Sequence, residues 1–598
     1  MQNRIFIRKY KRIIWTVITV FLIFFLFRKA DFFGWDEAFY VGQMLSLVTD
    51  GDLVLQNNLL TFQLPFVEKY RALTIIMKSG AIQNCFSIGP AITMSIWTAP
   101  VKMFSYDSIT VFRSIIAIGM MIILILSAKY LILVLRHFGL SESMSVWCMF
   151  ISILSSPLLL YYTRFYLTAH APGAFFSIAA LAIFLCWIKQ PSYHTAFASG
   201  LFYGLLAITR WQDVILIIPP IAAAIVKIQN DPEHLHRRCY GILYASVGFG
   251  LVVFLQLTAW YIQFDEWFLF PQGSSFMQWT HPKFVSFLFS PFHGAFVWAP
   301  VFMLGLLGLI FIFRNDFEKW QKVFLVSCFI VSICVVYICA AAEDWWAGAS
   351  YGPRRLCSLL PFSAIGLGIL LKKPSVFFKS IFTVMIIGWS LFTVSAFRKD
   401  IDDLNILFQN KRSSANPYSE EHYSAYMLQQ PWQLWYEGFS KMIKPGFTFT
   451  DNPKDQNRIV GFLTVATITG LVLFLWRRTM NSKRIQIMFS MFLFGYICIF
   501  ISFLLFKIPA NKPYNSYWLQ VLKKDDLPQN PDPPVEGLLD VAHVIKLVHN
   551  WYDKNYETAY YHMLNVSSDY MDNLNLLEIQ DFVENSDNHK LIQYARNW

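Results

Sequence analysis

From residue 13 onward the chain runs repeatedly into uninterrupted apolar stretches, most of them close to the ~20 residues with which an α-helix crosses ~30 Å of hydrocarbon. They read as 13–27, 109–135, 144–160, 172–188, 196–208, 214–226, 242–264, 294–313, 323–342, 356–371, 376–397, 459–476 and 485–506. Hydrophobic residues make up 56% of the chain and charged residues 15%, against roughly 25% charged in a soluble domain, which excludes a soluble globular class. The expected fold is an all-α polytopic membrane protein with about 13 transmembrane helices.

Charge placement gives each segment a side. Segment 13–27 follows Arg4, Arg8, Lys9, Lys11 and Arg12 and lacks a small-residue cleavage site, so it reads as a retained anchor with a cytoplasmic amino terminus. Segment 86–104 is interrupted by Gly89–Pro90 and Ala99–Pro100 and is read as an interfacial helix rather than a crossing. Alternating sides on that basis, the cytoplasmic connections carry Arg136; Lys189; Lys227, Arg237 and Arg238; Arg314, Lys319 and Lys322; Lys372, Lys373 and Lys379; and Arg477, Arg478, Lys483 and Arg484. That is the positive-inside distribution, and counting 86–104 as a span would destroy it. The net charge of +11 is therefore orientation rather than a nucleic-acid footprint. Nine cysteines without C-x-x-C spacing indicate neither a disulfide framework nor a zinc site.

The opposite, extracytoplasmic face receives the loop 28–108 and the connections 161–170, 210–213, 265–293 and 343–355. It also receives an insert, 398–458, and a polar tail, 507–598, with a linker at Pro528, Pro531, Pro533 and Pro534. The expected organisation is a transmembrane core over 1–397, the insert 398–458, two last helices over 459–506 and the small tail 507–598.

Chemistry-bearing residues gather on that face. Asp36 and Glu37 follow the first apolar segment. Such an acid pair either caps a helix, where the N-terminal dipole favours negative charge, or presents a carboxylate as general base. Adjacent helical residues point apart, so one of the two carries the role. A second group runs from Glu343 and Asp344 through Trp345 and Trp346 to Arg354 and Arg355. Its aromatic pair reads equally as an interfacial belt, whereas two arginines suit bidentate recognition of phosphate. Arg164, His170, His281, Lys283 and His293 are weak singly, and Arg210 and Asp213 read as a pair with each other.

Three stretches together, GWDEAFYVGQMLSLVTDGDL, SIGPAITMSIWTAP and EDWWAGASYGPRRLCSLLPF, resemble the GT-C superfamily of polytopic glycosyltransferases. They are most similar to bacterial relatives of the protein O-mannosyltransferases and of the lipid A aminoarabinose transferase. The first carries Asp-Glu-x-x-Tyr at Asp36, Glu37 and Tyr40; the third is similar to a Trp-Gly-Gly-Trp-x-x-Gly-Pro-Arg pattern, from Trp345 to Arg354. The resemblance spans roughly residues 13–371. It departs from the family at Thr168–Ala169–His170, where many relatives have an acid, and at Ala347 and Ala349, which replace glycines.

The resemblance implies interfacial helices in the first outer loop, a polyprenyl-phosphate-linked sugar donor, an extracytoplasmic acceptor and a bacterial plasma-membrane location. It also implies Asp36 as the catalytic residue. Glu37, Tyr40, Arg164, His170, His281, Glu343, Asp344, Arg354 and Arg355 are then the expected substrate-binding residues. No residue set demands a metal, although a divalent cation beside the acids is compatible with this reading. Two other classes handle lipid-linked glycans: a transporter or flippase, and an O-antigen ligase or polymerase. The first calls for internal repeats and charge at mid-membrane, and the second for a patterned later loop; neither is evident here.

Overall fold

The computed structural model describes residues 35–394, with short gaps and one long one at 59–83. Segment 13–27, the insert, the last two expected helices and the tail lie outside the described residues. The chain divides into two compact units. One comprises 1–30, 114–255 and 272–466; the other comprises 31–113, 256–271 and 467–598. The described residues are helical and contain no strand beyond a single antiparallel bridge, Met277 to Ala342.

The second unit contributes α1 (Trp35–Leu45) and α2 (Gly89–Lys102). With 14 residues α2 is about 21 Å long, too short to cross the bilayer, and Pro100 sits inside its last turn. This helix lies within segment 86–104.

The chain continues through α3 (Ile109–His137), α4 (Glu142–Leu154), α5 (Leu158–Thr163), α6 (His170–Lys189), α7 (Tyr193–Thr209), α8 (Ile218–Gln229) and α9 (Leu235–Phe264). The short helices α10 (Phe284–Phe289) and α11 (Ala295–Trp298) precede α12 (Pro300–Ile310), α13 (Lys319–Ala341) and α14 (Leu360–Leu370). Helix starts follow from side-chain caps. Ser141 and Ser192 accept the backbone N–H of Met144 and Thr195 at 3.3 and 3.2 Å, and Glu318 and Gln321 form a capping box at α13.

Among the described residues five helical segments are long and apolar enough to cross a membrane: Val111–His137, His170–Lys189, Trp211–Gln229, Pro232–Phe264 and Lys319–Ala341. Other expected spans are divided. Segment 144–160 ends at Leu154 and restarts after Pro157, and 294–313 breaks between α11 and α12. At the second break Ala299, which precedes Pro300, takes φ −141° and ψ 71°, the non-helical conformation that a following proline imposes. Segment 356–371 likewise opens as a 3-10 turn, Arg354–Leu359, before α14 begins.

In the first unit α6 is buried along almost all its length. By contrast Ile218, Ile221 and Ile225 on α8, and Leu243, Val247, Leu251 and Phe254 on α9, form exposed apolar stripes at helical spacing. Such stripes are disfavoured in water and match hydrocarbon. The basic connections collect at one end of this unit. Gln321 donates to His137 O (3.1 Å), Arg238 to Ile188 O (3.1 Å), and Lys227 pairs with Glu318 at 3.6 Å. There the hydrogen bonds from His234 and Arg238 hold the Asp231 carboxyl at about 2. The connections 161–170, 210–213, 276–293 and 341–355 meet at the other end. The 20 residues of α6 run from one end to the other, about 30 Å.

Candidate functional site

In the second unit the acid pair opens α1. Asp36 and Glu37 lie in its first turn, where the helix dipole favours carboxylates. The pair divides as adjacency requires: Glu37 is buried, 3% exposed, and Asp36 is half-buried. Below them the rings of Phe39 and Tyr40 pack on Phe86, with centroids 5.7 and 5.0 Å away. The backbone of Phe86 is gripped on both sides, since Gln43 donates to its O (3.4 Å) and its N–H donates to Asn84 (2.9 Å). Tyr40 is thus a buried support of α1. The helix ends in one π turn, Ser46–Asp50, released at Gly51 with φ +68°, a left-handed conformation that glycine adopts without strain. Ser46 then donates to Asp52 (2.7 Å) and Asn58 to Asp50 (2.7 Å), closing the motif that began at Asp36.

In the first unit the charged side chains converge at the end opposite the basic connections. Arg210, which caps α7, and Asp213, in the 3-10 turn Trp211–Ile217, pair at 3.3 Å and are 8% and 1% exposed. Arg210 also donates to Nδ1 of His170, the first residue of α6, which makes that nitrogen an acceptor. Gly173, one turn into α6, leaves room for this: a Cβ there would stand 3.2 Å from both Arg210 Cδ and Ser358 Oγ. The Ser358 hydroxyl donates to Asp213, and Ser177 donates to Ser358 O (2.7 Å). The 3-10 turn 354–359 is thereby fastened to α6 and to the 211–217 turn.

That turn carries the two arginines. Arg355 forms an ion pair with Asp344 at 2.5 Å, donates to Asp344 O (2.9 Å) and lies 5.9 Å from the Phe276 ring centroid. Arg354 opens the turn, its N–H donating to Gly352 O (2.8 Å) and its O accepting from Arg210 (3.4 Å). Tyr161 packs edge-on against His170 (4.7 Å) and donates to Tyr351 O (3.3 Å). His293 donates from Nδ1 to Trp346 O (2.8 Å) and meets Trp298 edge-on at 5.4 Å. Burial, reinforced by Arg354, holds His293 down at about 4 against the opposing effect of its Trp346 bond, so the ring is neutral near pH 7.

The expected residues therefore fall into groups. His170, Asp344, Arg354 and Arg355 come together. Arg164 closes α5 in the connection that leads to His170. Glu343 and His281 are exposed beside this cluster, where Glu343 N bonds Phe276 O (2.9 Å) and Gln278 N bonds Ala341 O (2.7 Å). Asp36, Glu37 and Tyr40 belong to the other unit. Among the described residues no group of three or more His, Cys, Asp or Glu side chains is placed to hold a metal ion.

Comparison with solved structures finds the archaeal oligosaccharyltransferase AglB from Archaeoglobus fulgidus, in complex with an inhibitory peptide and a dolichol-phosphate. It is 13% identical, with a TM-score of 0.38, over 71% of this chain and 60% of that one. The apo form of the Archaeoglobus fulgidus oligosaccharyltransferase matches with 12% identity and a TM-score of 0.38, over 74% of this chain and 59% of that one. The chain spans about three fifths of the length of these structures. No family model matches, and no curated protein matches.

Sequence reasoning read Arg210 and Asp213 as a pair with each other, which they are at 3.3 Å, but not their link to the 354–359 turn, and it missed Ser358. The available signal was their spacing: an Arg and an Asp three residues apart in a connection between two apolar segments, where an unpaired charge is strongly disfavoured.

Proposed function

We propose that this chain is a membrane glycosyltransferase that moves a sugar from a polyprenyl-phosphate-linked donor to an acceptor on the extracytoplasmic side of a bacterial plasma membrane. The observation that carries the reading is the gathering of Arg354, Arg355, Arg210, His170 and Asp344 at the end of the first unit away from the basic connections. Across the connections 161–170, 210–213, 276–293 and 341–355, Arg164, Arg210, Lys283, Arg354 and Arg355 stand against Asp213, Glu343 and Asp344, an excess of positive charge that suits a lipid phosphate at a membrane rim.

In the proposed reaction Asp36 takes the proton of an acceptor hydroxyl or amine. The freed lone pair attacks the anomeric carbon, and the bond from that carbon to the lipid phosphate oxygen breaks. Arg354 and Arg355 neutralise the departing phosphate, with Arg164, or Lys78 outside the described residues, as a further cation. Glu343, Asp344, His170 and His281 are assigned to sugar and acceptor hydroxyls. Asp36 is favoured over Glu37 as the base because Glu37 is the buried one of the pair. The test is Asp36→Asn in membranes containing the lipid-linked donor: the variant should be made and folded normally yet transfer no sugar. Transfer at the wild-type rate removes Asp36 from the mechanism.

A further inference from the structure

We infer that Arg210 and Gln212 are positioning residues that set the register of Arg354 and Arg355 for an anionic lipid headgroup. The inference rests on the reading of those two arginines as a phosphate site.

The 3-10 turn 354–359 has poorer internal hydrogen bonding than an α-helix and comes directly after Gly352 and Pro353, so its own backbone fixes it weakly. It is held from outside. Arg210 points its two terminal nitrogens at consecutive carbonyls, Arg354 O at 3.4 Å and Arg355 O at 3.5 Å. Gln212 donates a further bond to Arg355 O at 3.3 Å. The carbonyls of the two residues whose side chains would meet phosphate are thus the ones taken by these donors.

Arg210 is itself fixed in direction. Its Nε faces Asp213, one terminal nitrogen meets His170, and Asp213 is in turn held by Ser358 from within the same turn. The loop of contacts closes on itself: 210–213 fixes 354–359, and Ser358 fixes Asp213. A planar fork with five donors makes such a set of bonds; a lysine at 210 keeps the charge and the Asp213 pair but cannot reach both carbonyls. Small displacements of an arginine weaken bidentate phosphate recognition strongly, because both bonds depend on one plane.

The experiment uses the full chain in lipid nanodiscs, binding a long-chain polyprenyl monophosphate and, separately, the same polyprenol without phosphate. The wild type should prefer the monophosphate. Gln212→Leu and Arg210→Lys should each weaken monophosphate binding by about tenfold, the worth of one hydrogen bond, and leave polyprenol binding unchanged. Gln212 is half-buried, so Gln212→Leu should melt with the wild type, and it decides the matter alone if Arg210→Lys fails to fold. A wild type that does not tell the two lipids apart overturns the phosphate-site reading and this inference with it. A wild type that does, with Gln212→Leu binding the monophosphate equally well, overturns this inference and leaves that reading standing.

Discussion

Ala347 is a residue out of place in its own backbone. It stands at φ +62°, in the turn that Ala347 N closes on Asp344 O and that Ser350 fastens through its bond to Ala347 O. A side chain with a Cβ is disfavoured there by about 1–2 kcal/mol. Ala347→Gly should therefore raise stability by up to about 1 kcal/mol, after allowing for glycine's greater freedom when unfolded and for the small loss of buried methyl, and a thermal melt in detergent measures it. His293, at φ +62° as well, gives a pH dependence. Unfolded, it takes up a proton near 6.5; folded, only near 4. The stability contributed by its neutral form is complete above about 6.5 and is lost as the pH falls toward 4, so the melting temperature should drop across that window and drop less in His293→Gln. A melt series in which wild type and variant fall in parallel contradicts this role. The site was partly legible at this scale. An Arg, a His and an acid at segment ends are visible in a string of letters because charge near hydrocarbon needs a reason. Which arginine Asp344 would take is not visible, because that depends on how a turn of six residues lies across two helices.

Between helices the decisive contacts are made by residues with no side chain. A Cβ on Gly366 of α14 would stand 1.9 Å from Gly305 O of α12, and one on Gly308 would stand 1.9 Å from Gly366 O. Backbones approach this closely only through glycine, and hydrocarbon leaves helices to associate by such packing. Gly366→Ala forces α12 and α14 apart and should cost about 1–3 kcal/mol or more, read as a lower melting temperature and poorer recovery of the folded protein. Gly250→Ala on α9 is the control: nothing lies within 4 Å of its Cβ, so it should be neutral or stabilising. Sequence alone located these helices well where apolar runs were long and uninterrupted, as for α3, α6, α9 and α13. It failed at Pro157 and Pro300, where hydropathy carries on across a backbone that cannot. The reason is physical: hydropathy reports the solvent a segment prefers, whereas helix continuity depends on one N–H at a time.

At the scale of the molecule, the sorting of connections is what makes the chain interpretable. Counting sides from basic residues sends 161–170, 210–213, 265–293 and 343–355 to one face, and in the first unit the described parts of these four connections meet through Arg210, Tyr161, His293 and the Met277 to Ala342 bridge. The basic connections meet at the other end through Arg238, Lys227 and Gln321. In the first unit the basic connections stand at one end and a mixed, partly buried charge cluster at the other, an arrangement that supports the proposed function. A transporter would carry its charges at mid-membrane. The central proposal is transfer of sugar from a lipid phosphate with Asp36 as base. The most direct test measures sugar transfer from a polyprenyl-phosphate-linked donor in membranes holding equal amounts of wild type or Asp36→Asn. Loss of a general base lowers the rate by about 10²–10⁴-fold, so the variant should be inactive while the wild type forms glycosylated product; equal transfer by the two contradicts the account.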